Sequence, residues 1–262
     1  MDLISSTLLG VLQGVTEWLP ISSSGQGMGA MMTFFGLSAK NAFSLVIYLH
    51  LGTLLAVILR FRDDIKEIVR SLPRFREDKL VQFILVSTLF NAMIGIPIYL
   101  LMKDLFSSMY GGLAMAIIGA LLIATGLVLY ASKGRKSGKG LKDVTIIDMA
   151  IAGISQGLAI LPGISRSGIT ISALLFTGVR QEDALRLSFL MSIPAVIGAN
   201  VLEFSGGSIM AFNPLLIIVG ILFSFIAGYL SIDLLMRIAH RMRFDLFCVI
   251  FGAITIALAS VV

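Results

Sequence analysis

The 262-residue chain is 57% hydrophobic and 13% charged, about half the roughly 25% charge of soluble domains, which excludes an ordinary soluble globular protein. Its net charge of +5 falls in short loops between apolar runs, a pattern that reflects membrane topology and not a nucleic-acid surface. The single cysteine, Cys248, excludes an intramolecular disulfide framework.

The amino-terminal stretch carries Asp2 and no basic region, so no cleaved signal peptide is expected. The first apolar run, 3–19, breaks at Pro20-Ile21-Ser22-Ser23-Ser24-Gly25 and resumes from Gln26 to Phe35. Full spans are predicted at 41–59, 80–102 and 112–130. A second broken run covers 145–161, is interrupted by Pro162-Gly163-Ile164-Ser165-Arg166-Ser167-Gly168 and continues over 169–176. Three more spans are predicted at 184–202, 214–236 and 244–262. Residues 80–102, 105–132 and 204–232 contain no Asp, Glu, Lys or Arg, and each stretch exceeds the roughly 20 residues a helix needs to cross the hydrocarbon core. The second half of each broken run is too short to cross. Both therefore read as re-entrant hairpins whose exposed backbone lines a cavity or is buried in protein.

The two breaks are copies of one another. Shifted by 143 positions, Gln13, Gly14, Ile21, Ser22, Ser24 and Gly25 fall on Gln156, Gly157, Ile164, Ser165, Ser167 and Gly168. A hairpin returns the chain to its starting side and three spans invert it, so the second copy enters from the opposite face. The expected fold is an all-α polytopic membrane protein, with six transmembrane helices plus two re-entrant helical hairpins in an inverted-topology repeat. Residues 1–131 form the first repeat (hairpin 3–35), 132–143 a basic loop and 144–262 the second repeat (hairpin 145–176), making one integral membrane domain. Such folds place their substrate site near the midplane, where the repeats meet.

Loops 60–79, 133–142, 180–186 and 237–243 hold 17 of the 20 Lys and Arg residues. That side is expected to be cytoplasmic. Both termini and the mouth of the first hairpin then face outward, in a multi-pass plasma-membrane protein.

Glu17 and Arg166 are the ionisable groups at the hairpin tips. Charges at that depth are costly and ordinarily functional, which favours a functional role over the alternative of a structural ion pair locking the hairpins. Beside them stand Ser22, Ser23, Ser24 and Gly25 in one tip, and Gly163, Ser165, Ser167 and Gly168 in the other. Glycines admit close backbone approach, helix N-termini attract anions, and an arginine offers a fork for phosphate oxygens. Together they describe a phosphate site within the bilayer, which suggests a lipid phosphate.

The stretch Gln13-Gly14-Val15-Thr16-Glu17-Trp18-Leu19-Pro20-Ile21-Ser22-Ser23-Ser24-Gly25, taken with Leu161-Pro162-Gly163-Ile164-Ser165-Arg166-Ser167-Gly168, closely resembles the undecaprenyl-diphosphatase, or bacitracin-resistance, family. The resemblance extends along the chain and includes His50-Leu51-Gly52-Thr53-Leu54-Leu55-Ala56-Val57. It implies a membrane enzyme that removes the terminal phosphate of a polyprenyl diphosphate and regenerates the monophosphate carrier of envelope glycan assembly. It also implies six spans with re-entrant hairpins, an outward-facing site and a divalent cation, Mg2+ or Ca2+, at Glu17. By position, Glu17 matches the second acid of the family's (E/Q)xxxE motif and Gln13 the first. Ser22 and Ser23 match its serine pair, with Ser23 as nucleophile or phosphate ligand, and Arg166 matches the phosphate-holding arginine.

The family usually has His directly after SSxG, where this chain has Gln26, which cannot serve as a general base near neutral pH. Gln26 is placed with the phosphate-binding residues, and Gln26→His is expected to raise turnover. His50 is a candidate for the missing imidazole, although a lone histidine on an apolar helix ordinarily packs. Asp148 suits a helix N-terminus. Met28, Met31 and Met32 are candidates for a prenyl groove, though methionine more often fills core gaps. His240 sits among arginines on the basic side. The expected partners are a polyprenyl diphosphate and the bilayer, with a homodimer allowed and no nucleic acid. Hydrolysis leads. The alternative is a transporter that binds polyprenyl phosphate and moves it between leaflets without hydrolysis, since inverted repeats also build transporters.

Overall fold

The computed structural model describes residues 2–132, 134, 138–205, 212–239 and 243–259. Among them the chain is helical without strands, apart from an isolated bridge between Lys139 and Val179. The first break separates α1 (Leu3–Thr16) from α2 (Ser23–Phe35), and α3 (Ala39–Arg60) follows. A short α4 (Arg62–Ser71) precedes α5 (Lys79–Ser108) and α6 (Gly111–Ser132). The second break separates α7 (Ile146–Leu158) from α8 (Arg166–Phe176), followed by α9 (Gln181–Ser205), α10 (Pro214–Ala239) and α11 (Phe244–Leu258). Helices α3, α5, α6, α9 and most of α10 are long and apolar enough to cross a membrane. The 15 residues of α11 are fewer, and the last three residues of the expected sixth span, 260–262, lie outside the described residues.

Each helix preceding a break packs on a long helix of the other half, α1 on α10 and α7 on α5. Glycines make these crossings close. A Cβ on Gly10 or Gly14 would lie 2.3 or 2.5 Å from the carbonyl oxygens of Gly220 and Ser224, and one on Gly153 would lie 2.4 Å from that of Ser87. Small residues at such crossings let apolar helices associate through van der Waals contact. Gly10 and Gly14 are carried onto Gly153 and Gly157 by the same 143-residue shift that relates the breaks.

The basic segments meet on one face. Arg60 lies 2.7 Å from Asp233, Arg186 pairs with Asp64, the Lys79 ammonium donates to the Val144 carbonyl, and Lys139 lies 3.2 Å from Asp148. Asp148 also closes a capping box with Thr145 at the start of α7, a structural role. At the opposite end Ser6 donates to the Leu216 carbonyl, while Ser44 and Tyr99 donate to Glu203 at 2.7 and 2.5 Å. Lys133, Arg135, Lys136, His240 and Arg241 lie outside the described residues. Met28, Met31 and Met32 are buried in a core cluster with α3 and α6 and line neither of the two cavities described below, in keeping with the core-filling reading over the prenyl groove. Periodicity alone does not separate a groove wall from a core.

Candidate active site

Two helix starts face one another across the breaks. Ser22 caps α2, its Oγ accepting from the Gly25 N–H at 3.2 Å, and Ser165 caps α8, its Oγ accepting from the Gly168 N–H at 3.2 Å. The Ser22 oxygen accepts a second bond from the Gly163 N–H at 3.1 Å, which ties the first break to the second. Ser22 is the one non-glycine among the described residues with a left-handed backbone (φ 57°). Such conformations are costly and persist where surrounding contacts over-determine them. Gly163, at φ 108°, passes so close to α6 that a Cβ would lie 2.5 Å from the Ile118 carbonyl oxygen. Thr125 on α6 braces this turn by donating to the Gly163 carbonyl (3.1 Å) and accepting from the Ser165 N–H (3.2 Å).

Glu17 is the hub. Its side chain is buried, with Arg166 paired to Oε1. On Oε2 it accepts from Ser23 Oγ at 2.5 Å and from Gln13 Nε2 at 2.9 Å, and His50 Nε2 stands 3.3 Å away. Gln13 is one helical turn before Glu17, so the spacing itself delivers the amide to the carboxylate. Trp18 anchors the turn from the other side, its indole N–H donating to the Gly228 carbonyl at 3.0 Å. Arg166 lies over the Phe189 ring at 5.7 Å and reaches the Ser188 carbonyl at 3.4 Å. The guanidinium is thus held by an anion, a ring face and a backbone oxygen, all geometries suited to arginine.

His50 Nδ1 lies 2.7 Å from the Val46 carbonyl one turn back on α3. That oxygen can only accept, so Nδ1 carries a proton and Nε2 is the nitrogen presented to Glu17. Gln26, in contrast, donates Nε2 to the Ile21 carbonyl at 2.8 Å and lines neither of the two cavities described below. The amide supports the backbone of the break, and the imidazole beside the carboxylate is His50.

Glu17, Ser22, Ser23, Ser24, His50, Ser165, Arg166 and Ser167 surround a polar pocket of about 30 Å³. Gly25, Gly163 and Gly168 sit behind it as close backbone contacts. The pocket opens beside a larger, mostly apolar groove of about 280 Å³ between α3, α5, α7 and α9, and the two share Ser24, His50, Ala159 and Arg166. Sequence reading missed Thr125 and Phe189, which sit within apolar spans and carry no local signal of their position.

A divalent cation fits these side chains poorly. Among the described residues no three His, Cys, Asp or Glu side chains gather as a metal-binding group. The pocket's carboxylate already has a guanidinium on one oxygen and two hydrogen-bond donors on the other, whereas magnesium and calcium require several oxygen ligands.

The chain matches the family model described as bacitracin resistance protein BacA over residues 6–257. It is 43% identical to an undecaprenyl-diphosphatase of Methanothrix thermoacetophila over 260 residues, 99% of this chain and 98% of the relative. It is 40% identical to one of Methanococcoides burtonii over 98% of both chains, and 38% identical to one of Haloarcula marismortui over 96% of this chain and 95% of the relative.

Proposed function

Because this chain belongs to the bacitracin resistance protein BacA family, we propose that it is an undecaprenyl-diphosphate phosphatase whose catalytic unit is Ser23, Glu17 and Arg166. The observation that carries the reading is the 2.5 Å hydrogen bond from the Ser23 hydroxyl to Glu17, a carboxylate itself fixed by Gln13, His50 and Arg166. A hydroxyl within reach of a base that is oriented by further groups is the arrangement of an activated nucleophile.

In this reading the prenyl chain lies in the apolar groove and the diphosphate enters the polar pocket, drawing Arg166 from Glu17 to the phosphate oxygens. Arginine then exchanges one anion for another, and Glu17 is freed as base. Ser23 Oγ attacks the terminal phosphorus while its proton passes to Glu17. The bond from that phosphorus to the bridging oxygen breaks, and polyprenyl monophosphate leaves with its charge stabilised by Arg166 and the helix N-termini. Water then attacks the phosphoserine and the Ser23 oxygen recovers the proton held by Glu17. Inorganic phosphate departs, and the water's proton is released past His50.

Both hairpins are read as re-entrant and related by inversion. The exchanged packing of α1 on α10 and α7 on α5 supports this, as does the matching capping of Ser22 and Ser165. The face holding Arg60, Lys79, Lys139 and Arg186 is read as cytoplasmic, with both termini outside. In a Cys248→Ala background, a cysteine at the exposed Arg74 is expected to react with an impermeant thiol reagent only from the cytoplasm, and one at the exposed Asp104 only from outside. Labelling of Asp104→Cys from the cytoplasm contradicts the inverted repeat.

The assignment of the imidazole is tested by phosphate release from undecaprenyl diphosphate. His50→Ala is expected to lower turnover by about 10²-fold, within the usual range for a proton-transfer group, while Gln26→His, which the sequence alone leads one to expect to raise turnover, changes it less than about threefold because position 26 lines neither cavity. A Gln26→His variant about tenfold faster, with His50→Ala unchanged, contradicts the role of His50.

A further inference from the structure

Two amides on the wall of the large groove are almost wholly buried, with 4% of Gln156 and 7% of Asn200 exposed. Gln156 donates Nε2 to the Met191 carbonyl at 3.0 Å, and Asn200 donates Nδ2 to the Val196 carbonyl at 2.9 Å. These bonds fix which end of each amide is oxygen. Gln156 Oε1 and Asn200 Oδ1 have no hydrogen-bond partner among the described residues, nor does the hydroxyl of Thr88, which lines the same groove. Gln156 corresponds to Gln13 through the 143-residue shift. Whereas Gln13 spends its amide on Glu17, the corresponding position after Gln156 is Ile160, so no carboxylate meets it.

These groups follow a track. On α9, Ser192 and Asn200 both line the groove, and Arg166 touches the Ser188 carbonyl one turn before Ser192 at the inner end. The distance from Ser188 to Asn200 is about 18 Å at the rise of an α-helix. Thr88 flanks the track from α5 and Gln156 from α7.

The nature of the ligand follows from what a buried acceptor oxygen requires, which is a donor. A prenyl chain offers none, and diphosphate oxygens are acceptors themselves. A small molecule that both donates and accepts meets all three groups, and the groove has ample room for several waters. We propose that Thr88, Gln156 and Asn200 bind a file of water along the α5–α7–α9 wall, beside the prenyl chain, which delivers the water consumed in hydrolysis to Glu17 and His50. The delivery role rests on the hydrolase reading above.

The test uses the purified full chain in a Cys248→Ala background, with a cysteine at the half-buried, groove-lining Ala199. A charged, membrane-impermeant methanethiosulfonate is expected to modify Ala199→Cys, because the reaction requires a hydrated thiolate. Adding Gln156→Leu and Asn200→Leu is expected to slow modification at least tenfold and to lower kcat for undecaprenyl diphosphate at least tenfold, with KM within twofold. Should the pair not fold, as judged by its melting curve, Asn200→Leu alone carries both measurements. If Ala199→Cys reacts with a membrane-soluble maleimide but not with the charged reagent, the groove is dry and the proposal is overturned. An unchanged kcat in the variants overturns it equally. An Ala199→Cys protein that labels while neither it nor the wild type releases phosphate overturns the hydrolase reading and the delivery role with it, which distinguishes that failure from the failure of the water file.

Discussion

Glu17→Gln is expected to lower turnover by about 10³-fold, inside the range that loss of a general base produces. The glutamine keeps the shape of the side chain and can still meet Gln13, but it cannot take the Ser23 proton or neutralise Arg166. Breaking a buried pair by removing one partner commonly costs about 3–5 kcal/mol, and the Glu17 side chain is 4% exposed beside an arginine at 16%. Turnover is therefore measured per folded protein, with a melting curve alongside and binding of the prenyl diphosphate as a control. A Glu17→Gln variant that melts lower yet turns over normally would make Glu17 a structural lock between the two breaks and nothing more.

Arg166→Lys should separate charge from geometry. Lysine can still reach the Glu17 carboxylate, so the breaks stay paired and the protein folds. It cannot hold two phosphate oxygens with a planar fork or present a guanidinium to the Phe189 ring, over which Arg166 lies at 5.7 Å. Turnover is expected to fall by about 10²-fold, as positioning losses can. Wild-type turnover in Arg166→Lys would show that a point charge suffices and that the fork has no part in holding phosphate.

Much of this site could be read from the chain because it is written twice. Glu17 and Arg166 stand out as charges inside broken apolar runs, and the serines around them recur at a fixed offset. The caps of Ser22 and Ser165 follow from the local preference of serine for helix N-termini. The sequence offers His50 only as a candidate, because its contact with Glu17 depends on how α3 is rotated against both breaks, a property of tertiary packing. For the same reason the sequence does not reveal that the Gln26 amide holds the Ile21 carbonyl. Thr125 is one hydroxyl in an apolar span, and nothing near it in sequence marks the turn it braces. The close crossings at Gly10 and Gly153 sit on the same repeat as the breaks, but a glycine in an apolar helix does not reveal its partner without the fold.

In the proposed mechanism the two breaks form a site where a serine takes the terminal phosphate from a lipid. Undecaprenyl diphosphate labelled in its terminal phosphate, given to the purified protein in detergent, tests it most directly. The wild type is expected to convert the label to inorganic phosphate and leave the lipid monophosphate, whereas Ser23→Ala binds the lipid and leaves the label on it. Label that stays on the lipid with the wild-type protein, despite measurable binding, would contradict hydrolysis and point to a carrier of the intact lipid.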